Sequence, residues 1–320
     1  MFHIRAMHAS DFDAVRRLDR DVFVAWGQTH RGLLSTRPPR TRANIRQNHA
    51  DDPAGCFVAV EDGVVVGYVF SHTWGQVGWL GTFGVRLDCQ GRGIGGALID
   101  RSVAYLEAAG CTTVGLATMP DSAYNIGLYM RHGFHPDGLT LRLRRTVNDP
   151  TSPSPHGGGP GEGKGLLGRL WRALPPDERE SALEACAALA DALWPGLDYR
   201  KVIQYVPGET LLWGDPLWGF AAVHTVPKLE NSTTNAAVVD ALVLDPDHAN
   251  RWPAVLRSLE AFAANQGLRG LAFSLPDRQR EPLATALAAG YRFVHVNLVM
   301  TRRRPAIRWA AGVHGFAWVM

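Results

Sequence analysis

The chain has 320 residues, of which 46% are apolar and 20% charged, and a formal net charge of +3. This is the composition of an ordinary globular protein with enough chain for two cores, and the charge is too slight to argue for nucleic acid, whose binders carry a basic stripe. No apolar run approaches a membrane span, and the opening Met-Phe-His-Ile-Arg-Ala-Met-His lacks a signal-peptide layout, so a cytoplasmic protein without membrane contacts is expected. Cysteines 56, 89, 111 and 186 are scattered without CxxC pairs, which predicts buried free thiols rather than a disulfide framework or zinc site.

In chain order, Ser10-Asp11-Phe12-Asp13 reads as a capping box with Asp in the Glu position, opening a helix whose apolar face is Ala14, Val15, Leu18, Val22 and Phe23. Trp26 to Pro39 reads as a loop. Cys56 to Val60 and Val64 to Ser71 are β-rich runs joined at Glu61-Asp62-Gly63, a hairpin. Strands follow at 79–85, 112–118 and 139–145, with helices at 95–108 and 122–132; Gly133 suits the C-cap of the second. From Asn148 to Gly165 proline, glycine and serine dominate, which predicts a flexible linker. The expected domains are therefore 1–147 and 166–320, with 148–165 between them.

The chemistry is concentrated where the strand ending at Val85 passes into Gln90-Gly91-Arg92-Gly93-Ile94-Gly95-Gly96 and then into a helix. Glycines remove Cβ atoms where the chain turns, and the unpaired N–H groups of the new helix point at whatever lies in the loop. Such a site suits a phosphate or pyrophosphate. A P-loop is excluded because no Gly-Lys-Ser/Thr follows, and a dinucleotide fingerprint fits poorly because the strand Thr113 to Thr118 ends without a carboxylate. The bland alternative, a tight strand-to-helix turn, explains one or two glycines but not four.

Gln90-Gly91-Arg92-Gly93-Ile94-Gly95 resembles motif A of the GNAT superfamily of N-acetyltransferases, Gln/Arg-x-x-Gly-x-Gly/Ala, with Leu87 where the family usually has proline. About thirty residues further on, Leu128, Tyr129, Gly133 and Phe134 match the family's second segment, Asn-x-x-Ala-x-x-Leu-Tyr-x-x-x-Gly-Phe, with Ser122 and Asn125 replacing its asparagine and alanine. The resemblance implies an α/β (α+β) chain of two tandem GNAT-like domains, each a mixed, mostly antiparallel sheet flanked by helices.

The second half echoes the first. Gly219 to His224-Thr225 repeats the spacing of Gly67 to His72-Thr73, Ala237 to Leu244 repeats the strand before the loop, and a helix with Leu256, Leu259, Phe262 and Ala263 follows. Gly270 to Leu275 reads as the next strand and Leu283 to Ala289 as a helix, with Gly290-Tyr291 standing where Gly133-Phe134 stood. A helix at 178–194 opens this half, and Trp309 to Met320 reads as a last strand of either sheet. Trp252 and Pro253 fall where the loop amides should be free, and proline has no N–H, so this half is expected to have lost acetyl-CoA binding.

By the resemblance, acetyl-CoA is the cosubstrate and no metal takes part. Its pantetheine would pair with the backbone of Phe83, Gly84 and Val85, and Gln90, Gly91, Arg92, Gly93, Ile94, Gly95 and Gly96 would hold the pyrophosphate, with Ser122 and Asn125 completing the set. Tyr129 would be the general acid, its alternative being a core tyrosine. No carboxylate lies on Trp79 to Val85, so the base is open: His72 is a candidate, although His224 recurs at the equivalent spot and argues for structure, and His30 or a water chain are alternatives. Trp26, Trp74 and Trp79 suggest an apolar or ring-bearing acceptor, and His30 and Arg31 are candidate contacts. The expected function is acetyl transfer to a primary amine of a small molecule, by direct attack on the thioester. A non-catalytic acyl-CoA sensor and a protein N-acetyltransferase are the alternatives. Intramolecular pairing of the two domains is expected, and a homodimer is compatible.

Overall fold

A sheet covered by helices on both faces needs strands that bury both sets of alternating side chains, and β2 (Phe57–Glu61) does so. Val58 and Val60 pack into one core, Phe57 and Ala59 into another. The computed structural model describes residues 1–31, 37–147, 168–232, 235–302 and 312–316; the expected linker lies outside them.

The first half runs β1 (His3–Ala6), α1 (Phe12–Arg31), α2 (Arg42–Asp51), β2, β3 (Val64–Trp74), β4 (Val77–Val85), α3 (Ile94–Ala108), β5 (Thr113–Thr118), α4 (Ala123–Arg131) and β6 (His135–Thr146). The second runs β7 (Arg169–Leu170), α5 (Pro176–Leu193), α6 (Arg200–Tyr205), β8 (Gly208–Gly214), β9 (Leu217–His224), β10 (Ala236–Leu244), α7 (Trp252–Asn265), β11 (Gly270–Pro276), α8 (Arg280–Ala288), β12 (Arg292–Arg302) and β13 (Val313–Phe316).

These strands form one mixed, mostly antiparallel sheet ordered β1-β2-β3-β4-β5-β12-β6-β11-β10-β9-β8-β7, with β13 added on β10. The order repeats about the β12–β6 pair, so β4 corresponds to β10 and β5 to β11. At the centre the halves exchange strands. β12 of the second half pairs with β5 (Leu298 opposite Thr118), and β6 of the first pairs with β11 (Gly270 opposite Thr146). Helices α3, α4, α7 and α8 pack on one face, against cores that include Leu116, Met300, Leu143 and Phe273. Helices α1, α2, α5 and α6 cover the other, where Trp79, Val299, Phe220 and Phe316 share one core across both halves.

Several expectations need correction. The cap stands earlier than the Ser10 box: the His8 amide donates to Asp11 Oδ2 at 2.8 Å, a carboxylate also clamped by Arg5 at 2.7 and 2.8 Å. Trp26 to Arg31 are the end of α1 rather than a loop. Helix α2 was not expected because Ile45 is its one large apolar residue; Thr41 caps it by accepting from the Asn44 amide at 3.1 Å. The edge strand β1 and the alternating run of β12 were also not expected. The first half's last strand does not close its own half: β6 lies between β12 and β11. The final strand, described at 313–316, pairs with β10 and so belongs with the second half. All four cysteines are buried and free.

Because β5 and β11 each receive their outer neighbour from the other half, neither half retains a complete sheet alone. Residues 1–147 and 166–320 expressed separately should fail to give folded monomers by circular dichroism and size exclusion, whereas co-expression should restore a 1:1 complex.

Candidate active site

Strands β4 and β5 are parallel partners only from Val77–Leu80 against Thr113–Leu116. One extra β4 residue then bulges against β3, since Ser71 faces Leu80 but Val69 faces Phe83. Past the bulge β4 stays with β3 while β5 turns to β12, which leaves the β5-facing side of residues 81–85 without a strand partner. Helix α3 begins beside this gap. Gly91 and Gly93 have φ of +75° and +82°, and a Cβ on either would meet open space, so glycine is required there by backbone conformation and the turn stays uncovered.

The gap opens into a cavity of about 760 Å³, within the range of small-molecule and cofactor sites. Of the residues expected to bind the cofactor, Phe83, Gly84, Val85, Gln90, Gly91, Ile94, Gly95, Ser122 and Asn125 line it, and Tyr129 joins them. Arg92, Gly93 and Gly96 do not. Arg92 forks onto Glu61 at 2.9 and 2.5 Å, Gly93 caps α3, and Gly96 faces the His132 ring. The Gln90 amide donates to the Val85 carbonyl at 3.0 Å. Tyr129 is buried on α4 with its ring edge-on to Phe134 at 6.2 Å, and burial raises its hydroxyl well above the usual phenol range, so it keeps its proton at neutral pH. The Trp26 side of α1 and the Trp79 side of β4 contribute further walls; the His30 and Arg31 side chains lie outside the described set.

Two lining residues come from the opposite half. His295 and Asn297 on β12 are joined by a 2.8 Å hydrogen bond and stand in register with Arg142 and Thr140 of β6. Nothing near them in sequence resembles a motif, and only strand exchange brings them beside Thr118.

His72 does not line this cavity but a smaller one of about 90 Å³, which shares Gly81 and Thr82 with it. Its ring stacks on Trp74 at 5.6 Å, and its Nε2 is 2.8 Å from where a Gly81 Cβ would stand. Burial, reinforced by Lys201 and opposed by Asp52, lowers its pKa to about 4, so the imidazole is neutral at pH 7 and a weak base. His224, its counterpart, instead meets the Asp240 carboxylate at 3.2 Å. Asp240 stands at the β10 bulge, where β4 has Gly81. Burial alone would raise it, but Lys228 and His224 hold it at about 2. Asp51, at the end of α2, is pushed up to about 7 by burial and then by Asp240.

In the second half, β10 and β11 pair only over Ala236–Val238 and Gly270–Ala272 before parting in the same way. There the gap is filled by the chain itself: Val313–Phe316 pair with Ala241–Leu244, the residues that correspond to 82–85. The loop is closed too. Trp252 is buried, donates its indole N–H to the Pro282 carbonyl at 3.0 Å and meets Phe273 edge-on at 5.4 Å.

The raised Asp51 carboxyl couples stability to pH. Its pKa rises from 3.8 unfolded to about 7 folded, so the folded state holds the extra proton and its contribution is lost as pH climbs through 7. Asp51→Asn should therefore melt at a higher temperature relative to the parent chain at pH 8 than at pH 4, read by thermal unfolding at both.

The family model described as Acetyltransferase (GNAT) family matches residues 13–134. A mycothiol acetyltransferase from Streptomyces avermitilis is 36% identical over 129 residues, which are 38% of this chain and 42% of that protein. The chain thus matches about two fifths of the length of that relative. Over nearly the whole chain the fold is shared with a putative acetyltransferase from Pyrococcus horikoshii, with a TM-score of 0.68 at 17% identity over 99% of this chain and 95% of that one. It is shared also with a tandem GNAT protein from the clavulanic acid biosynthesis pathway, with a TM-score of 0.59 at 15% identity over 96% and 100%. The parted strands, the glycine loop and Tyr129 all fall inside the segment 13–134 that the GNAT family model matches, and across both halves the likeness to the tandem GNAT protein is one of fold.

Proposed function

We propose that this protein transfers the acetyl group of acetyl-CoA to a primary amine of a small molecule, with one working site per chain in the domain of residues 1–147. The domain of residues 166–320, joined to it through 148–165, is a degenerate copy that completes the first. The observation that carries this reading is the unpaired stretch of β4 beside an uncovered glycine loop and a buried tyrosine, all on one 760 Å³ cavity.

Acetyl-CoA supplies the acyl group as an activated thioester. The backbone of Phe83 to Val85 offers strand-like pairing to an extended chain, and the loop amides at the start of α3 suit a pyrophosphate. Amides at the β4 bulge would polarise the thioester carbonyl. Tyr129, kept protonated by burial, donates to the departing sulfur. The small-molecule acceptor is supported by a cleft walled by α1 and β12, and by the mycothiol acetyltransferase similarity. The low basicity of His72 argues against it as the principal base.

Calorimetric titration should give one acetyl-CoA site per chain, abolished by Gly93→Val, which forces a β-branched residue to positive φ. Two sites would contradict the degenerate second domain, and no binding would remove the acetyltransferase reading. In a screen of primary amines followed by thiol release, Tyr129→Phe should lower kcat roughly a hundredfold with acetyl-CoA affinity unchanged. An acyl-CoA sensor would show no turnover to lose.

A further inference from the structure

The small cavity lies between the halves. It is walled by α2, β3 and β4 of the first and by α6, β9 and β10 of the second, and Gly81 and Thr82 line both it and the large cleft. Most of its polar groups are engaged. Asp240 is held by His224 and Lys228, each at 3.2 Å, and Lys201 donates to Thr73 Oγ1 at 2.9 Å. Asp52 accepts from the Thr73 hydroxyl at 2.8 Å and from Tyr105. Two groups differ. Neither Asp51 nor His72 has a hydrogen bond or ion pair among the described residues, although His72 is only 7% exposed and both border the space.

Asp51 is half-buried and His72 buried, and two polar side chains that line one small space without a protein partner suit a polar occupant there. Both are acceptors, the carboxylate of Asp51 and the lone pair of a neutral His72. A primary ammonium ion carries three donors and one positive charge and suits both, and 90 Å³ admits an amino group with a short stem. Resting on the acetyl-transfer reading above, we propose that this cavity receives the acceptor's amino group as its ammonium ion, and that Asp51 takes the proton that must leave before the nitrogen attacks.

In that step an N–H bond breaks as an O–H bond forms on Asp51, which frees the nitrogen lone pair. The nitrogen then forms the C–N bond at the thioester carbon beside Gly81 and Thr82, and the C–S bond breaks with its electron pair on sulfur. The sulfur takes the Tyr129 proton, the second surplus proton on nitrogen restores Tyr129, and Asp51 releases its proton to solvent. The groups facing Asp51 are Asp52 and Cys56 beside its own helix, His72 on β3, Lys201 on α6, His224 and Lys228 around β9, and Asp240 on β10. Their balance leaves the carboxyl at about 7, matched to proton exchange near neutral pH.

The test uses the full chain with carboxyl-13C aspartate and acetyl-CoA present, the Asp51 signal being assigned by its loss in Asp51→Asn. It should titrate near neutral pH and shift on adding ethylammonium chloride, while tetramethylammonium chloride, which has no N–H, should leave it in place. An ordinary acidic titration, or no response to ethylammonium, overturns the proposal. With the best amine from the screen, Asp51→Asn should lose roughly a hundredfold in kcat/KM at pH 7 together with the rising limb of the pH profile, and Asp51→Glu should restore the limb. An unchanged limb in Asp51→Asn likewise overturns it. Failure to bind acetyl-CoA or to acetylate any amine defeats the acetyl-transfer reading instead, and the carboxyl titration still decides whether Asp51 meets an ammonium ion.

Discussion

Each backbone N–H and C=O at the outer edge of β5 and β11 must find a partner, and the chain meets that demand by exchange. The last strand of each half pairs with the other half's sheet, β12 on β5 and β6 on β11. One sheet results where two were expected. The wall of the large cleft follows from this, because His295 and Asn297 reach it only on the exchanged strand. So does the core shared by Trp79, Val299 and Phe316, which ties β4 to the second half.

The parting of two parallel strands occurs twice and is resolved in two ways. Beyond Leu80 and Leu116 the gap stays open, with left-handed glycines beside it. Beyond Val238 and Ala272 the same gap is closed by β13, and Trp252 fills the corresponding turn with a buried, hydrogen-bonded ring. The duplication therefore kept the backbone geometry and changed what satisfies it. An open edge can accept a ligand as an added strand; an edge paired with its own chain cannot without unpairing.

The electrostatics at the junction break the symmetry in the same spirit. Gly81 and Asp240 occupy equivalent bulges, and His72 and His224 equivalent strand positions, yet one histidine rests on a carboxylate and the other does not. A carboxylate held at about 2 by Lys228 and His224 is a fixed charge across the physiological range. Asp51, half-buried and near Asp240, is instead pushed up to about 7.

The glycine loop, the strand before it, the tyrosine helix and the duplication were legible in the sequence, because each is a local pattern: positive-φ glycines, apolar alternation, helical spacing and a repeated Gly to His-Thr interval. The different turn of the second half was legible for the same reason, since Pro253 has no N–H to offer and Trp252 brings a large ring that the fold buries. The partner of each central strand was not, because any complementary edge satisfies a strand's hydrogen bonds and the sequence does not say which half provides it. Nor could residues 51, 240 and 295 be assigned to walls of two adjoining cavities. Their chemistry arises from burial and from charges brought near by tertiary contacts, and those distances exist only once the sheet has closed through its exchanged strands.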